Sequence, residues 1–177
     1  MSRSPTVFGF SLQSLEVRDI PSVTIVNART AKFIDVDGDV VIVKTSVGTL
    51  TSSLFTAISS GAGEQLQRLN LSGGGFERTN LAITAIRTAT GDGLVNIGFI
   101  DSTGHDLGSV SITGDLGKID AGDSDPKSPA LKSLHVTTLG LLGTSTQVSG
   151  GGRKALSHIP APTFSCEKVD SVKLTLE

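Results

Sequence analysis

The sequence predicts an all-β protein: a short right-handed parallel β-solenoid, entered through an antiparallel hairpin. Three observations favour this fold class. The 177-residue chain contains 21 Gly, only 4% aromatic residues and no Trp or Tyr. A six-residue apolar pattern recurs along the chain, and successive copies are separated by similar intervals. A composition rich in Gly, Ser, Thr and β-branched residues favours short strands and turns over long helices.

The recurring pattern places one aliphatic residue three positions before a second and five positions before a third. The last two apolar positions alternate with polar ones, as a strand with one buried face requires. Copies begin at Leu12, Leu66, Leu107, Leu116, Leu131 and Val169, with a looser copy at Leu139. We therefore expect these strand residues to face inward: Leu69, Leu71, Val110, Ile112, Ile119, Leu134 and Val136.

The intervals between copies predict how the strands stack. Leu107 and Leu131 are 24 positions apart, and Leu116 and Leu139 are 23 apart. A period in the twenties, made of short strands and glycine turns, is typical of a solenoid in which each coil stacks on the one before. The two interleaved series therefore predict two stacks of parallel strands.

One interval is longer, because Leu66 and Leu94 are 28 positions apart. It fits the same period if a loop is inserted. A leucine-rich repeat is a weaker interpretation, since it requires Asn or Cys three positions beyond the third apolar residue. Those positions hold Gly74, Asp115 and Leu139.

The N-terminal third differs from the repeats. Residues 31–44 predict two strands joined by Asp37-Gly38, because Asp-Gly between alternating apolar runs is a strong hairpin signal. Alternation in residues 49–58 and 80–87 predicts two further strands. We expect a chain that passes from this hairpin into the parallel coils.

The composition divides the chain into three parts. Residues 1–22 form a targeting-like segment, residues 23–146 the β-solenoid domain, and residues 147–177 a linker with a C-terminal strand. The last part carries the apolar pattern at Val169, Val172 and Leu174. It therefore either caps the final coil or remains a frayed tail.

Charge and composition exclude several classes of function. The chain has 15 basic and 17 acidic side chains, so we expect no nucleic-acid partner. Without Trp or Tyr it lacks the usual stacking platforms, and a small-molecule substrate is not expected. No run of about 18 apolar residues predicts a membrane span. Cys166 is the only cysteine, which excludes an internal disulfide.

No spacing in the chain supports nucleophilic catalysis. No Ser lies in a Gly-x-Ser-x-Gly elbow, and Cys166 has no neighbouring His. We therefore predict that the protein is not an enzyme, and no catalytic or cofactor-binding residue is assigned.

Three alternating carboxylates, Asp35, Asp37 and Asp39, initially suggest a calcium loop. An EF-hand pattern would continue with Gly at its sixth position and Glu at its twelfth, but those positions hold Val40 and Ser46. A hairpin turn is therefore favoured, with Asp37 in the turn and the other two carboxylates on the flanking strands.

A second acidic patch lies further along the chain and supplies the candidate metal ligands. If the coils stack, turn aspartates from different rungs converge, as they do in β-rolls that hold calcium. The candidate ligands for a calcium ion are Asp120, Asp123 and Asp125. The roll consensus Gly-Gly-x-Gly-x-Asp is missing, so an ordinary turn is the alternative.

Several stretches resemble the β-solenoid regions of large surface proteins from planctomycete and verrucomicrobial bacteria: residues 33–44, 91–100, 104–123 and 128–134. Leu15-Glu-Val-Arg18 is similar to the Leu-Glu-Pro-Arg motif near the start of planctomycete extracytoplasmic proteins, with Val17 where that motif most often has Pro. The resemblance covers roughly residues 12–152. It implies an extracytoplasmic or cell-surface location and a repetitive scaffold, and it implies no catalytic residues.

These observations predict a non-catalytic structural or adhesive cell-surface module that binds a protein partner or copies of itself. The physical reason is that a solenoid has open ends, whose strand edges and apolar cross-section invite another coil. The alternative is a polysaccharide lyase or hydrolase of the parallel β-helix type that uses the acidic face from Asp115 to Asp125. A groove with convergent Asp and basic side chains would favour the enzyme.

Overall fold

The computed structural model describes residues 23–123, 125 and 127–141, and the backbone of strands at 163–166 and 174–176. Within these residues the protein is all-β, with eleven strands, one 3₁₀ turn and no α-helix. No helix among them is long and apolar enough to cross a membrane. The predicted targeting-like segment, residues 1–22, lies outside the described residues.

The hairpin region and the first half of the sheet contain six strands: β1 (Thr24–Asn27), β2 (Thr30–Ile34), β3 (Val40–Thr45), β4 (Phe55–Ser60), β5 (Gly63–Asn70) and β6 (Thr79–Ile86). The 3₁₀ turn, Ser52–Leu54, precedes β4. The remaining strands are β7 (Val95–Thr103), β8 (Leu107–Gly122), β9 (Leu131–Leu139), β10 (Thr163–Cys166) and β11 (Leu174–Leu176). The strand expected to start near residue 49 begins only at Phe55, because the 3₁₀ turn occupies its first part.

All eleven strands belong to one mixed sheet that curls into a half-barrel. Its main path runs β1-β2-β3-β6-β8-β7-β5-β4. The pairs at the two ends of this path are antiparallel, and they include the predicted hairpin of β2 and β3. The pairs in the middle are parallel, and β9 adds a further parallel strand beside β8.

The predicted intervals are confirmed in the pairing of β8 with β9. Leu107 lies opposite Leu131, and Leu116 lies opposite Leu139. β8 is 16 residues long and belongs to both series, since its first half pairs with β6 and its second half with β7. The two apolar series of the sequence therefore correspond to two stretches of parallel pairing.

A glycine marks the point where β8 changes partner. Gly114 has φ +148, and a Cβ at this position would lie 1.7 Å from the carbonyl oxygen of Val95. Since no other residue lacks a Cβ, only glycine permits this approach of β8 to the start of β7. The bend lets one continuous strand serve both stretches of pairing.

One predicted interval is wrong. Leu66 lies opposite Ile97, not opposite Leu94. The loop between β6 and β7 extends through Leu94, whose backbone N–H donates to the Asp92 side chain at 2.8 Å. Leu94 therefore lies in the loop and not in the strand, and Leu66 pairs with the residue three positions later, Ile97.

The core of the described residues is almost entirely aliphatic. The prediction for the inward positions is confirmed, because every one is at most 1% exposed: Leu69, Leu71, Val110, Ile112, Ile119, Leu134 and Val136. The residues that open the pattern are buried as well: Leu66, Leu107, Leu116 and Leu131. Burial of aliphatic surface from successive parallel strands is the main stabilising contribution to this part of the fold.

Two C-terminal strands lie beside the last strands of the main sheet. The backbone of β10 runs parallel to the second half of β8, and β11 runs parallel to β9 with Leu174 opposite Leu134. The apolar pattern would place Leu174 opposite Val136, so the register differs by two residues. Val169 and Val172 lie outside the described residues.

Candidate functional site

The turn between β2 and β3 is the first of the acidic groups. Ile34 pairs with Val40, so the five residues between them form the turn. The N–H of Asp35 donates to the carbonyl of Asp39 at 3.0 Å, and Gly38 has φ +100. The hairpin is confirmed, but the expectation that the outer two carboxylates lie on the strands is wrong. The N–H of Asp39 turns inward to the Asp35 carboxylate at 2.8 Å instead of joining the ladder.

The most deeply buried carboxylate of this turn anchors a second loop. Asp39 is 0% exposed, and its two oxygens accept hydrogen bonds from the backbone N–H groups of Thr88 and Gly93, each at 2.6 Å. The side chain lies so close to the second loop that a Cβ on Gly91 would meet it at 1.7 Å. Backbone donors therefore stabilise the charge of Asp39 and hold the loop between β6 and β7 against the hairpin.

The other two carboxylates of the turn are less well satisfied. Asp35 is 4% exposed; its Oδ2 and the Oδ1 of Asp37 are buried and have no hydrogen-bond donor in the described part of the chain. Burial, followed by the adjacent Asp37 carboxylate, raises the pKa of Asp35 to about 7. The pKa of Asp37 is lowered, because a proton shared from Asp35 and the N–H of Asp92 outweigh its burial.

The three carboxylates of the turn lie close together. One oxygen from each lies within 4.8 Å of the others. Among the described residues, no Lys, Arg or His nitrogen forms an ion pair with any of them. The turn therefore concentrates negative charge without an ion pair to a basic side chain.

The predicted calcium ligands are not brought together as one group. Asp120 forms an ion pair with Lys118 on the same strand. Asp125 is exposed, and its carboxylate accepts a hydrogen bond from the N–H of Lys127 at 3.0 Å. Calcium binding at these residues stays a prediction, and the ion pair of Asp120 is a competing use of its charge.

Asp123, the third predicted ligand, instead lies beside two acidic residues that the sequence analysis did not select. One oxygen each from Asp123, Glu77 and Asp106 lie within 4.8 Å of one another. Asp106 is only 2% exposed, but its oxygens accept hydrogen bonds from the hydroxyl of Ser128 and, at 3.5 Å, from the N–H of Asp123. The buried member of this group is therefore already hydrogen-bonded.

Asp115, which begins the proposed acidic face of the alternative enzyme, lies inside the protein. It is 2% exposed and accepts hydrogen bonds from the hydroxyl of Thr138 at 2.7 Å and from the N–H of Leu141 at 3.1 Å. Its carboxylate thus ties β8 to the end of β9. A side chain engaged in this way does not face a substrate groove.

A polar ladder across three parallel strands was missed by the sequence analysis. Arg68, Phe99 and Lys118 lie in register, with the Lys118 ammonium 4.4 Å and the Arg68 guanidinium 5.6 Å from the centre of the Phe99 ring. Two positions further along, Asp101 forms an ion pair with Arg68. The recurring basic or aromatic residue two positions before an acid or amide was the available signal.

The two outermost strands of the main path lack the charged residues and Pro that commonly protect a sheet edge. Neither β1, with the sequence TIVN, nor β4, with the sequence FTAISS, contains a charged residue or Pro. Val26 is 54% exposed and Ile58 is 50% exposed. Natural edge strands commonly carry Lys, Pro or bulges that discourage pairing with another chain. Here each outer pair has one register irregularity.

Fold and edges together define the chain as an all-β module with a curled mixed sheet. Comparison of the chain with protein-family models, with curated proteins and with solved structures finds no match. Function therefore has to be inferred from the geometry of the strand edges and of the acidic groups.

Proposed function

We propose that the protein is a non-catalytic structural or adhesive module that associates with copies of itself through its open strand edges. The observation that carries this proposal is the absence of charge and Pro from β1 and β4, the outer strands of the main path. The unpaired N–H and C=O groups of such an edge are a template for a strand from another chain. The exposed Val26 and Ile58 add apolar surface to both edges.

A second copy is the partner that these edges suit best. Two uncharged edges on one chain can pair with each other across copies, without any charge complementarity supplied by a different protein. Contacts of this kind repeat, because pairing through one edge leaves the other edge of each copy open. The product is a dimer or a longer assembly, as a structural module requires.

We further propose that the parallel part of the sheet is a short right-handed β-solenoid. After β6 the chain passes through β7 and then forms β8, which pairs in parallel with both β6 and β7. The next strand, β9, pairs in parallel with β8. Crossovers between parallel strands of one sheet are right-handed in about 98% of cases. The intervals of 24 and 23 residues between paired leucines support successive coils of similar length.

The association is tested by light scattering over a series of protein concentrations. Ile58→Lys places an ammonium group on the edge strand β4, so we expect the dissociation constant of the assembly to rise about tenfold or more. The matched control is Thr84→Lys on β6, an exposed position on a strand that has neighbours on both sides. A wild-type chain that stays monomeric throughout, or equal dissociation by both variants, would contradict the proposal.

We also propose an extracytoplasmic or cell-surface location, supported by the similarity of Leu15-Glu-Val-Arg18 to the targeting-associated motif. Protease added to intact cells that express the full chain tests this location. Digestion of the protein, while a cytosolic marker remains intact, is the expected outcome. Protection equal to that of the marker would overturn it.

A further inference from the structure

We infer that the turn between β2 and β3 binds one calcium ion, with carboxylate oxygens of Asp35, Asp37 and Asp39 as ligands. The site differs from the predicted one at Asp120, Asp123 and Asp125. It also goes beyond the proposed function, since association through strand edges needs no ligand.

The spacing of the oxygens suits a single ion. Calcium binds carboxylate, carbonyl and water oxygens at about 2.3–2.6 Å, so two of its ligands are at most about 5 Å apart. One oxygen from each of the three carboxylates lies within 4.8 Å of the others. The set contains no thiolate or imidazole, which disfavours zinc. Calcium is favoured over magnesium because it accepts the irregular geometry that a short turn offers.

An independent observation is the unsatisfied burial of Asp35. This residue is 4% exposed, yet its Oδ2 has no donor among the described residues. The Oδ1 of Asp37, two residues along the same turn, is in the same condition. A buried carboxylate oxygen without a donor is destabilising unless a cation or a proton reaches it. These two oxygens therefore mark a place for positive charge, either the proton that Asp35 shares with Asp37 or a cation that displaces it.

The described surroundings supply no ion pair to this turn, and the Arg87 side chain of the facing loop donates from its Nε to the carbonyl of Gly91. None of the ion pairs in the described part of the chain includes Asp35, Asp37 or Asp39. The nearby backbone donors are already used, because the N–H groups of Thr88 and Gly93 bind Asp39. A divalent cation offsets this excess of negative charge directly.

A bound ion would also join two parts of the fold. The Oδ2 of Asp37 accepts a hydrogen bond from the N–H of Asp92 at 3.0 Å, and its carbonyl accepts one from the hydroxyl of Thr90 at 3.0 Å. These bonds and those of Asp39 hold the loop between β6 and β7. An ion that fixes the three carboxylates therefore fixes this loop, which leads from the antiparallel region into the first parallel strands.

Calcium titration of the full chain by calorimetry, after treatment with a chelator, tests the site. The chain has no Trp or Tyr, so calorimetry replaces intrinsic fluorescence. We expect one calcium ion per chain and a melting temperature that rises by about 5 °C or more when free calcium is about 100 times Kd. We expect Asp35→Asn and Asp37→Asn to weaken binding at least about tenfold and to lose the rise.

Two controls make the outcome specific. Asp35→Asn should melt in chelator at or above the wild-type temperature, since it removes a buried charge, and this shows that the variant folds. Asp123→Asn changes the other acidic group and should retain both calcium binding and the thermal shift. No heat of binding and an unchanged melting temperature in the wild type would overturn the inference. Loss of binding in Asp123→Asn with full binding in Asp35→Asn would overturn it as well.

Discussion

Asp101 shows how the parallel part of the sheet keeps a nearly buried carboxylate ionised. It is 7% exposed, and it accepts hydrogen bonds from the N–H of Thr103 at 3.1 Å and from its hydroxyl at 2.8 Å. Burial alone would raise the pKa of Asp101, but these bonds and the Arg68 guanidinium outweigh burial and hold the pKa below 3.8. The carboxylate therefore stabilises the folded state only while it is charged.

This lowered pKa predicts a pH-dependent effect of Asp101→Asn. The unfolded chain binds the proton of this group at higher pH than the folded chain, so its contribution is complete above the unfolded pKa and is lost as the pH falls through the folded pKa. We expect the variant to be less stable than the wild type by about 1–3 kcal/mol at pH 7. The difference should shrink toward zero in acid, where the wild-type side chain is also neutral.

Urea unfolding followed by circular dichroism at pH 7 and at pH 3 measures this difference. Asp125→Asn is the matched control, since Asp125 is exposed and we expect its substitution to change the free energy of unfolding by less than about 0.5 kcal/mol. A destabilisation by Asp101→Asn that is the same at both pH values would show that packing, and not the charge, is responsible.

The contacts of single carboxylates were the least predictable part of the molecule. The sequence predicted the turn at Asp37-Gly38 but not the burial of Asp35 and Asp39. The burial of the Asp39 carboxylate is stabilised by backbone donors that lie 49 and 54 residues away in the sequence. Such partners depend on how the loop between β6 and β7 folds, and local turn chemistry carries no information about that loop.

At the scale of the element, β8 is distinctive because one strand serves two stretches of parallel pairing. Gly114 lies at the change of partner, with φ +148 and with the carbonyl oxygen of Val95 at 1.7 Å from the position of a Cβ. A side chain there would combine an unfavourable backbone conformation with a clash against backbone atoms. Gly114 is therefore expected to be indispensable for the continuity of β8.

Gly114→Ala should lower the free energy of unfolding by about 3 kcal/mol or more, since overpacking and backbone strain act together. Gly104→Ala is the control, because Gly104 also has positive φ, +83, but a Cβ there would meet no atom within 4 Å. We expect about 1–2 kcal/mol for the control, from backbone strain alone. Urea unfolding measures both, and equal losses would show that contact with Val95 contributes nothing.

Pattern and register were predictable to different extents at this scale. The apolar alternation identified which residues of the parallel strands are buried, because alternation follows directly from the pleat of a strand. The register of β8 with β9 was predictable because the intervals between the paired leucines are nearly equal, 24 and 23 residues. The register of β5 with β7 was not, because the apolar pattern does not specify how far the intervening loop extends beyond Asp92.

At the scale of the whole molecule, the open question is what covers the last strands of the main sheet. β10 pairs with β8 at positions 118–121, and β11 pairs with β9 at positions 134–136. Both C-terminal strands run parallel to their neighbours, as successive coils do. Their backbone N–H and C=O groups replace water at these edges, so residues 153–177 are expected to protect the end of the sheet.

A chain that ends after Gly152 tests this role. Loss of β10 and β11 bares an edge whose neighbouring side chains, Leu134 and Val136, are 0% exposed in the full chain. We expect the shortened chain to melt at a lower temperature and to form larger assemblies than the full chain, because an uncovered apolar strand edge recruits strands from other copies. Calorimetry and light scattering measure the two effects.

Ile58→Lys in the shortened chain separates the two kinds of edge. This substitution weakens association through β4, which lies at the end of the main path opposite to β1 and away from β9. Assemblies of this shortened variant that exceed those of full-length Ile58→Lys form through the edge bared by truncation, because the β1 edge is the same in both chains and a lysine on β4 has no effect on pairing with β9. If the shortened chain keeps the size and melting temperature of the full chain, residues 153–177 do not protect the sheet and behave as a tail.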